Sequence, residues 1–344
     1  MLKKINWFFI CQRKTVLAIP PAVWLVVLLL VQQSAAQPAL NVWSNNGPNA
    51  YVNSVVVDPN NSNVIYAGSN SGVLKSVNNG TNWFTVNQMD AWGLKSDLVN
   101  PDTIYACTEG GVLKSTDGGV NWNTVSPVTG VGPLAVSANN PSFIYAATDK
   151  NILVTTDGGE SWNTRQLPIA YEDMNLLEVD PQNPNVIYTF VTDYDFLLAL
   201  FKSTNGGTSW TRLYYGGNGS TVATNALKID SANPNIIYAA TYHGVYKSTD
   251  GGTSWTLRGF PGSTFALAID PINSGTLYAG VFNSGVYKST DDGATWSSFN
   301  NGLTNHKVWN LTIDRTGKFL YAGTPTGIFS VRVNADKKRI RLVF

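Results

Sequence analysis

Lys247 to Trp255 reads "KSTDGGTSW", and five relatives stand elsewhere in the chain. Aligned from the hydroxyl residue, the six copies are "SVNNGTNW", "STDGGVNW", "TTDGGESW", "STNGGTSW", "STDGGTSW" and "STDDGATW". A carboxylate, hydroxyls and paired glycines are the raw material of a calcium loop, a phosphate cradle or an acid–base site. Each of these chemistries fails on residue types. A calcium loop needs several converging carboxylates, and each copy offers one or two. The key position holds Asp117, Asp157, Asp250 and Asp291, but Asn78 and Asn205 in two copies, which a catalytic carboxylate would not tolerate. A phosphate loop would continue into Lys-Ser/Thr and a helix, and neither follows. The motif is therefore expected to hold no metal and no cofactor.

The same residues make sense as a turn. Asp or Asn accepts backbone N–H groups in an Asx-type turn, and the leading Ser or Thr does the same from the other side. The fifth-position Gly, present in all six copies, suits a positive φ. The closing Trp83, Trp122, Trp162, Trp210, Trp255 and Trp296 each bury a large ring and leave one N–H to satisfy.

These turns need elements to join, and the spacing supplies them. The Tyr of an "IYA"-like element recurs at 66, 105, 145, 188, 238, 278 and 321, in steps of 39 to 50 residues. Each period reads as four short strands: "ALKIDS", "IIYAAT", "GVYKS" and "TSWTLR" in the fifth. Alternation with β-branched and aromatic residues, bounded by Asn, Pro, Gly and Asp, is a strand signal. Four strands per ~40–45 residues is a propeller blade, whereas a β-helix would repeat at a shorter interval. The predicted fold is all-β, a seven-bladed propeller of four-stranded antiparallel blades over residues 37–333. The last unit lacks a fourth strand, and "NVWS" near the other end resembles one. Asn41 to Ser44 should therefore close the last blade and remove the open edges of the ring.

The six-copy pattern resembles the Asp-box, or bacterial neuraminidase, repeat, and the resemblance covers residues 41–333. It implies the propeller. It also implies a wide choice of function, since such propellers include sialidases, xyloglucan-cleaving hydrolases, sortilin-type receptors and photosystem II assembly factors. A sialidase would place an arginine cluster on its substrate from the first blade, but after residue 36 the first Arg is Arg165. Xyloglucanase-like propellers carry a loop acid after a "YA" strand. "YACTEGGVLKS" puts Glu109 there, with Asp149 in the next blade's loop. The loop acid is Glu and stands one residue closer to the Gly pair, and the second catalytic acid of those enzymes comes from a second propeller, which is absent here.

If the motif turns share one face, the opposite face carries the more variable loops, where function collects. Candidate ligand-binding residues there are Trp92, Tyr171, Tyr194, Tyr215, Tyr242, His243, Phe282, His306 and Trp309. Flat rings among carboxylates and Asn suit a protein segment or a polysaccharide, and neither His stands in a recognisable catalytic triad. "FVTDYDFLLALF", Phe190 to Phe201, lengthens the middle hairpin of the fourth blade and is a second candidate docking element.

Composition bounds the setting. Residues 1–36 carry Lys3, Lys4, Arg13 and Lys14, then an apolar run from Val16 to Val31, then small residues ending at Ala36. That order reads as a secretory signal cleaved after Ala36, with an uncleaved anchor as the alternative, and cleavage implies a secreted or periplasmic protein with no membrane span thereafter. Cleavage takes four of the 23 basic residues and none of the 22 acidic ones, leaving a net charge of −3. Nucleic acid is excluded as a partner, because it would need a basic surface. Residues 334–344 form a short basic tail. Cys107 is the one cysteine outside the signal and stands where sister repeats have Gly or Ala, so it reads as a small buried residue. A monomer that binds protein or polysaccharide without catalysis is the expectation.

Overall fold

The computed structural model describes residues 39–334, apart from 127, 129, 149–150, 168–172, 193–197, 214–223 and 260. It contains seven four-stranded antiparallel sheets. In six of them the strands follow chain order, as in Val52–Val57, Ile65–Ser69, Gly72–Ser76 and Phe84–Asn87 of the first blade. The seventh joins Asn310–Ile313, Phe319–Thr324 and Gly327–Arg332 to Ser44–Asn45 from the other end of the chain.

Closure lies where the sequence placed it, with its strand core slightly displaced. Ser44 pairs with Ser330 and Asn45 with Phe329. The Asn41 N–H also donates to the Arg332 carbonyl at 2.8 Å, and the Asn46 N–H to that of Ile328 at 3.1 Å. Trp43 seats this strand, donating its indole N–H to the Phe299 carbonyl of the sixth unit at 2.6 Å.

The core is a set of wedges between neighbouring blades. One such cluster joins Tyr66 and Val73 of the first blade to Leu94, Ile104 and Leu113 of the second, with Trp122 against it. The "IYA" strands supply both faces of their blade and are buried throughout, which is why they read as unbroken apolar runs. The first-to-second-strand turns are tied by Asp58, Asp97, Asp180, Asp230 and Asp270. Each accepts two N–H groups, as Asp230 does from Ala232 at 2.8 Å and Asn233 at 3.3 Å. Structural turns thus absorb a second set of carboxylates.

The blades are also latched to one another. The buried Tyr66 hydroxyl and the Lys75 ammonium of the first blade both donate to the Gly118 carbonyl in the motif turn of the second, at 3.0 and 2.6 Å. Tyr188 and Lys202 hold Gly251 of the next turn in the same way. Tyr321 of the last blade reaches Asn79 of the first at 2.9 Å, so the latch runs across the closure. Each Lys lies over the ring of its own Tyr, 5.3 Å from the centroid for Lys75 and Lys202, a cation–π contact. Burial pushes the Tyr hydroxyls up, to about 12 at Tyr105 and Tyr145, which keeps them protonated donors.

Candidate functional site

The strand order puts the six motif turns and the Asp-tied turns on one face. The motif turns repeat one geometry. In the fifth blade the Asp250 carboxylate accepts the Ser248 hydroxyl at 2.8 Å, the Ser254 N–H at 2.9 Å and the Ser254 hydroxyl at 2.6 Å. Ser248 accepts the Gly252 N–H at 2.8 Å, and Trp255 donates to the Gly252 carbonyl. Two successive residues take positive φ, Gly251 at 69° and Gly252 at 91°. Asn79 and Asp292 occupy the first of these positions in other copies, while the second is Gly in all six. The motif's acceptor side chains, leading hydroxyls and turn glycines are thus committed to the turn, whereas among the described residues the Trp210 indole N–H is buried without a partner. Among the described residues no His, Cys, Asp or Glu cluster fit for a metal occurs.

On the other face the inner strands begin with an irregularity. The register slips in five of them, between Val52/Ser54, Ala91/Gly93, Met174/Leu176, Thr224/Ala226 and Thr264/Ala266. A bulge of this kind re-aims the extra residue. Here it sets Asn53, Trp92, Asn225 and Phe265 around the mouth of the central channel, with Trp309 at the matching place in the last blade. Asn53, Trp92 and Asn225 pass a side-chain N–H to a backbone carbonyl of the following blade, Trp92 to Val131 at 2.6 Å. The Trp309 indole N–H and the Asn310 side-chain oxygen are buried there with no hydrogen-bond partner.

Phe265 is the centre of an aromatic group. Its ring centroid lies 5.5 Å from Tyr242, 5.4 Å from Phe282 and 5.3 Å from Trp309, the first and last edge-on. Such offsets suit ring quadrupoles. The group is not sunk in the core, since Tyr242 is 48% exposed and Phe282 47%. Trp92 stands 37% exposed at the second blade. Below the rings opens a cavity of about 360 Å³, lined by Trp92, Phe265, Trp309 and the inner strands. The opposite half of the channel is larger, about 740 Å³, but its acids include Asp230 and Asp270, already tied into turns.

Three charged side chains sit at the channel waist: Lys95, Glu178 and Lys228. Register places each opposite its blade's "IYA" tyrosine, Lys95 with Tyr105, Glu178 with Tyr188 and Lys228 with Tyr238. The other members of this layer are Val56, Ala135, Ala268 and Thr312. Lys228 and Glu178 form an ion pair across two blades, their side chains 35% and 20% exposed to the channel. Glu178 has its pKa lowered: burial works against the carboxylate, but Lys228 and Lys95 outweigh it. At Lys95, Glu178 favours the ammonium, yet burial and Lys228 leave its pKa below the ordinary lysine value. Behind this layer the Cys107 thiol is fully buried and pushed up to about 12, which makes it inert.

The candidates read from sequence divide accordingly. Trp92, Tyr242, Phe282 and Trp309 gather at the channel mouth. His243 and His306 are exposed on neighbouring loops. His306 touches the Leu303 carbonyl at 3.1 Å, and the His243 N–H donates to the Thr241 hydroxyl at 3.1 Å. Glu109 is exposed at the tip of the Thr108–Gly111 hairpin. Asp149, Tyr171, Tyr194 and Tyr215 lie outside the described residues, as do the proposed signal and the tail from 335 onward. Phe265 and the three channel charges were missed. In "STFALAID" the alternation makes Phe265 look like one more inward residue; an aromatic at the first-strand bulge position, shared with Trp92 and Trp309, was the available signal.

Residues 38–175 match the DUF6242 beta propeller domain, and residues 121–320 match the photosynthesis system II assembly factor YCF48. No curated protein matches the chain. Among solved structures, an ancestral GH74 enzyme superposes with a TM-score of 0.68 at 21% identity, over 86% of this chain and 46% of that one. The extracellular domain of a putative one component system from B. thetaiotaomicron gives 0.68 at 16% identity, over 86% and 40%. This chain therefore spans less than half the length of either. YCF48 from Cyanidioschyzon merolae gives 0.65 at 15% identity, over 85% of this chain and 98% of that one. YCF48 bound to D1 peptide gives the same score and identity. At these identities the superpositions establish the fold alone, whereas the YCF48 model matches more than half of the residues, and the chain belongs to the family of the photosynthesis system II assembly factor YCF48.

Proposed function

We propose that this propeller is a non-catalytic binding protein that takes an extended segment of another protein onto the channel mouth, and that it works outside the cytoplasm once residues 1–36 are removed. The observation that carries this reading is the group of Tyr242, Phe265, Phe282 and Trp309, joined through Phe265, in which Tyr242 and Phe282 are open to solvent and Phe265 and Trp309 line a cavity. Rigid aromatic surface binds at low entropic cost, and a pocket beside it fixes orientation. The family membership and the YCF48 neighbour bound to a peptide support the same reading. So does a fold neighbour that is an extracellular domain. The motif aspartates and the Asp-tied turns are taken up by structure, while Glu109 and Asp90 are exposed acids in loops of the opposite face.

The test is to pan the mature protein against a random-peptide phage library, then measure the recovered peptides on wild type and Trp309→Ala. Recovery of a peptide family whose affinity falls about tenfold or more in the variant, as loss of a buried aromatic anchor implies, is the expected result. Recovery of none, or unchanged affinity in Trp309→Ala, overturns the site. Reducing-end release from a polysaccharide panel that disappears in Glu109→Gln overturns the non-catalytic assignment.

A further inference from the structure

We propose that the channel waist is a carboxylate site, in which a carboxylate carried by the bound peptide enters past Trp92, Phe265 and Trp309 and is held between Lys95 and Lys228. The proposal rests on the peptide-binding reading and names the chemical group that the ligand buries.

The waist holds two ammonium groups and one carboxylate, and the rest of the layer is Val56, Ala135, Ala268 and Thr312. Glu178 is engaged by Lys228. Among the described residues Lys95 has no hydrogen bond and no ion pair. Lys95 is half-buried and lines the cavity, so its ammonium is open to a ligand that enters there. At Lys95 the largest influence is Glu178, which favours the ammonium, while burial and Lys228 together still leave its pKa lowered.

Ligand class follows from the same count. The net charge of the three side chains is +1, which one carboxylate neutralises. A phosphate dianion would overshoot it, and Glu178 would repel the excess. The entry side is set by the cavity, because the half that contains all three charges is the half lined by the aromatic residues. A ligand with an apolar body and an acidic end fits both features together.

The experiment uses 3-phenylpropionate, its amide and inorganic phosphate as probes, titrated into ¹⁵N-labelled mature protein. Amide shifts of residues 93–96 and 227–229 are followed. Saturable shifts at these amides from the acid, none from the amide or phosphate, and a Kd raised about tenfold or more in Lys95→Met are expected, as loss of a charged hydrogen bond implies. Lys95→Arg should retain binding. Equal shifts from acid and amide, shifts confined to other residues, displacement of the acid by phosphate, or an unchanged Kd in Lys95→Met would each overturn the proposal. The acid–amide comparison uses wild type and decides the matter even if Lys95→Met does not fold. Peptides recovered by panning while the acid leaves the waist unshifted would sink the carboxylate site and spare the peptide reading. Binding of the acid with no peptide recovered would do the reverse.

Discussion

At the scale of single residues, the motif aspartates work as acceptors and not as acids. Their carboxyls lie well below the ordinary value of 3.8, at about 2 for Asp250, through the Ser254 hydroxyl and then its N–H. Asp117 and Asp291 are held at about 2 as well, chiefly by the Asn121 N–H and the Thr295 hydroxyl. A carboxyl with a lower pKa folded than unfolded stabilises fully above the unfolded value and loses that stabilisation as pH falls toward the folded one. The melting temperature should therefore be level from about pH 7 to 5 and drop between about pH 4 and 2. Asp250→Asn keeps an acceptor, as Asn78 and Asn205 do in their own turns, and should melt close to wild type at pH 7. Asp250→Ala should lose about 2–4 °C, the equivalent of one net hydrogen bond in a domain of this size. Equal losses in the two variants would refute the acceptor account.

At the scale of elements, the second-strand Tyr and third-strand Lys grip the following blade by a shared acceptor. Tyr188→Phe should cost about 1 kcal/mol, since Gly251 keeps its bond from Lys202. Lys202→Met should cost a similar amount. The double variant should cost more than the sum by about 0.5 kcal/mol or more, because only then is the carbonyl left unpaired. Additive losses in chemical denaturation would show that the two contacts are independent. This latch was hidden in plain view: "IYA" and "KS" were read as strand signals, and the sequence offers no sign that Tyr188 and Lys202 meet at Gly251. The blade itself was legible because its signals are local. Turn residues, strand alternation and the Trp spacing all lie within one period. The channel charges were illegible for the opposite reason. Lys95, Glu178 and Lys228 stand in three repeats, the latter pair 50 residues apart. Each looks alone in its strand like a solvated polar residue, and only a closed ring brings them together.

At the scale of the molecule, the ring depends on a strand of which only Ser44 and Asn45 form ladder pairs. Without it, the Gly327–Arg332 strand becomes an open edge, a template for pairing with other chains. A chain lacking residues 37–46 should self-associate, seen as a mass above the monomer by light scattering. Trp43→Ala should remain monomeric but lose about 3–5 kcal/mol, because the indole is buried to 3% exposure and fills the gap against Phe299. A monomeric truncated chain of unchanged stability would show that closure does not need this segment.

The closing contacts also set a timetable. Six of the blades are made of neighbours in sequence and can form as soon as they emerge. Asn46 and its partner Ser330 are 284 residues apart. At ordinary synthesis rates the first of them waits about 15–60 s for the second. Throughout that interval the ring is an arc with two unpaired ends, and the channel waist lacks its full wall. A chain halted before its final blade therefore already carries Lys95, Glu178, Lys228 and the Tyr242–Phe265–Phe282 rings, but lacks Trp309 and the wall that closes the channel around them.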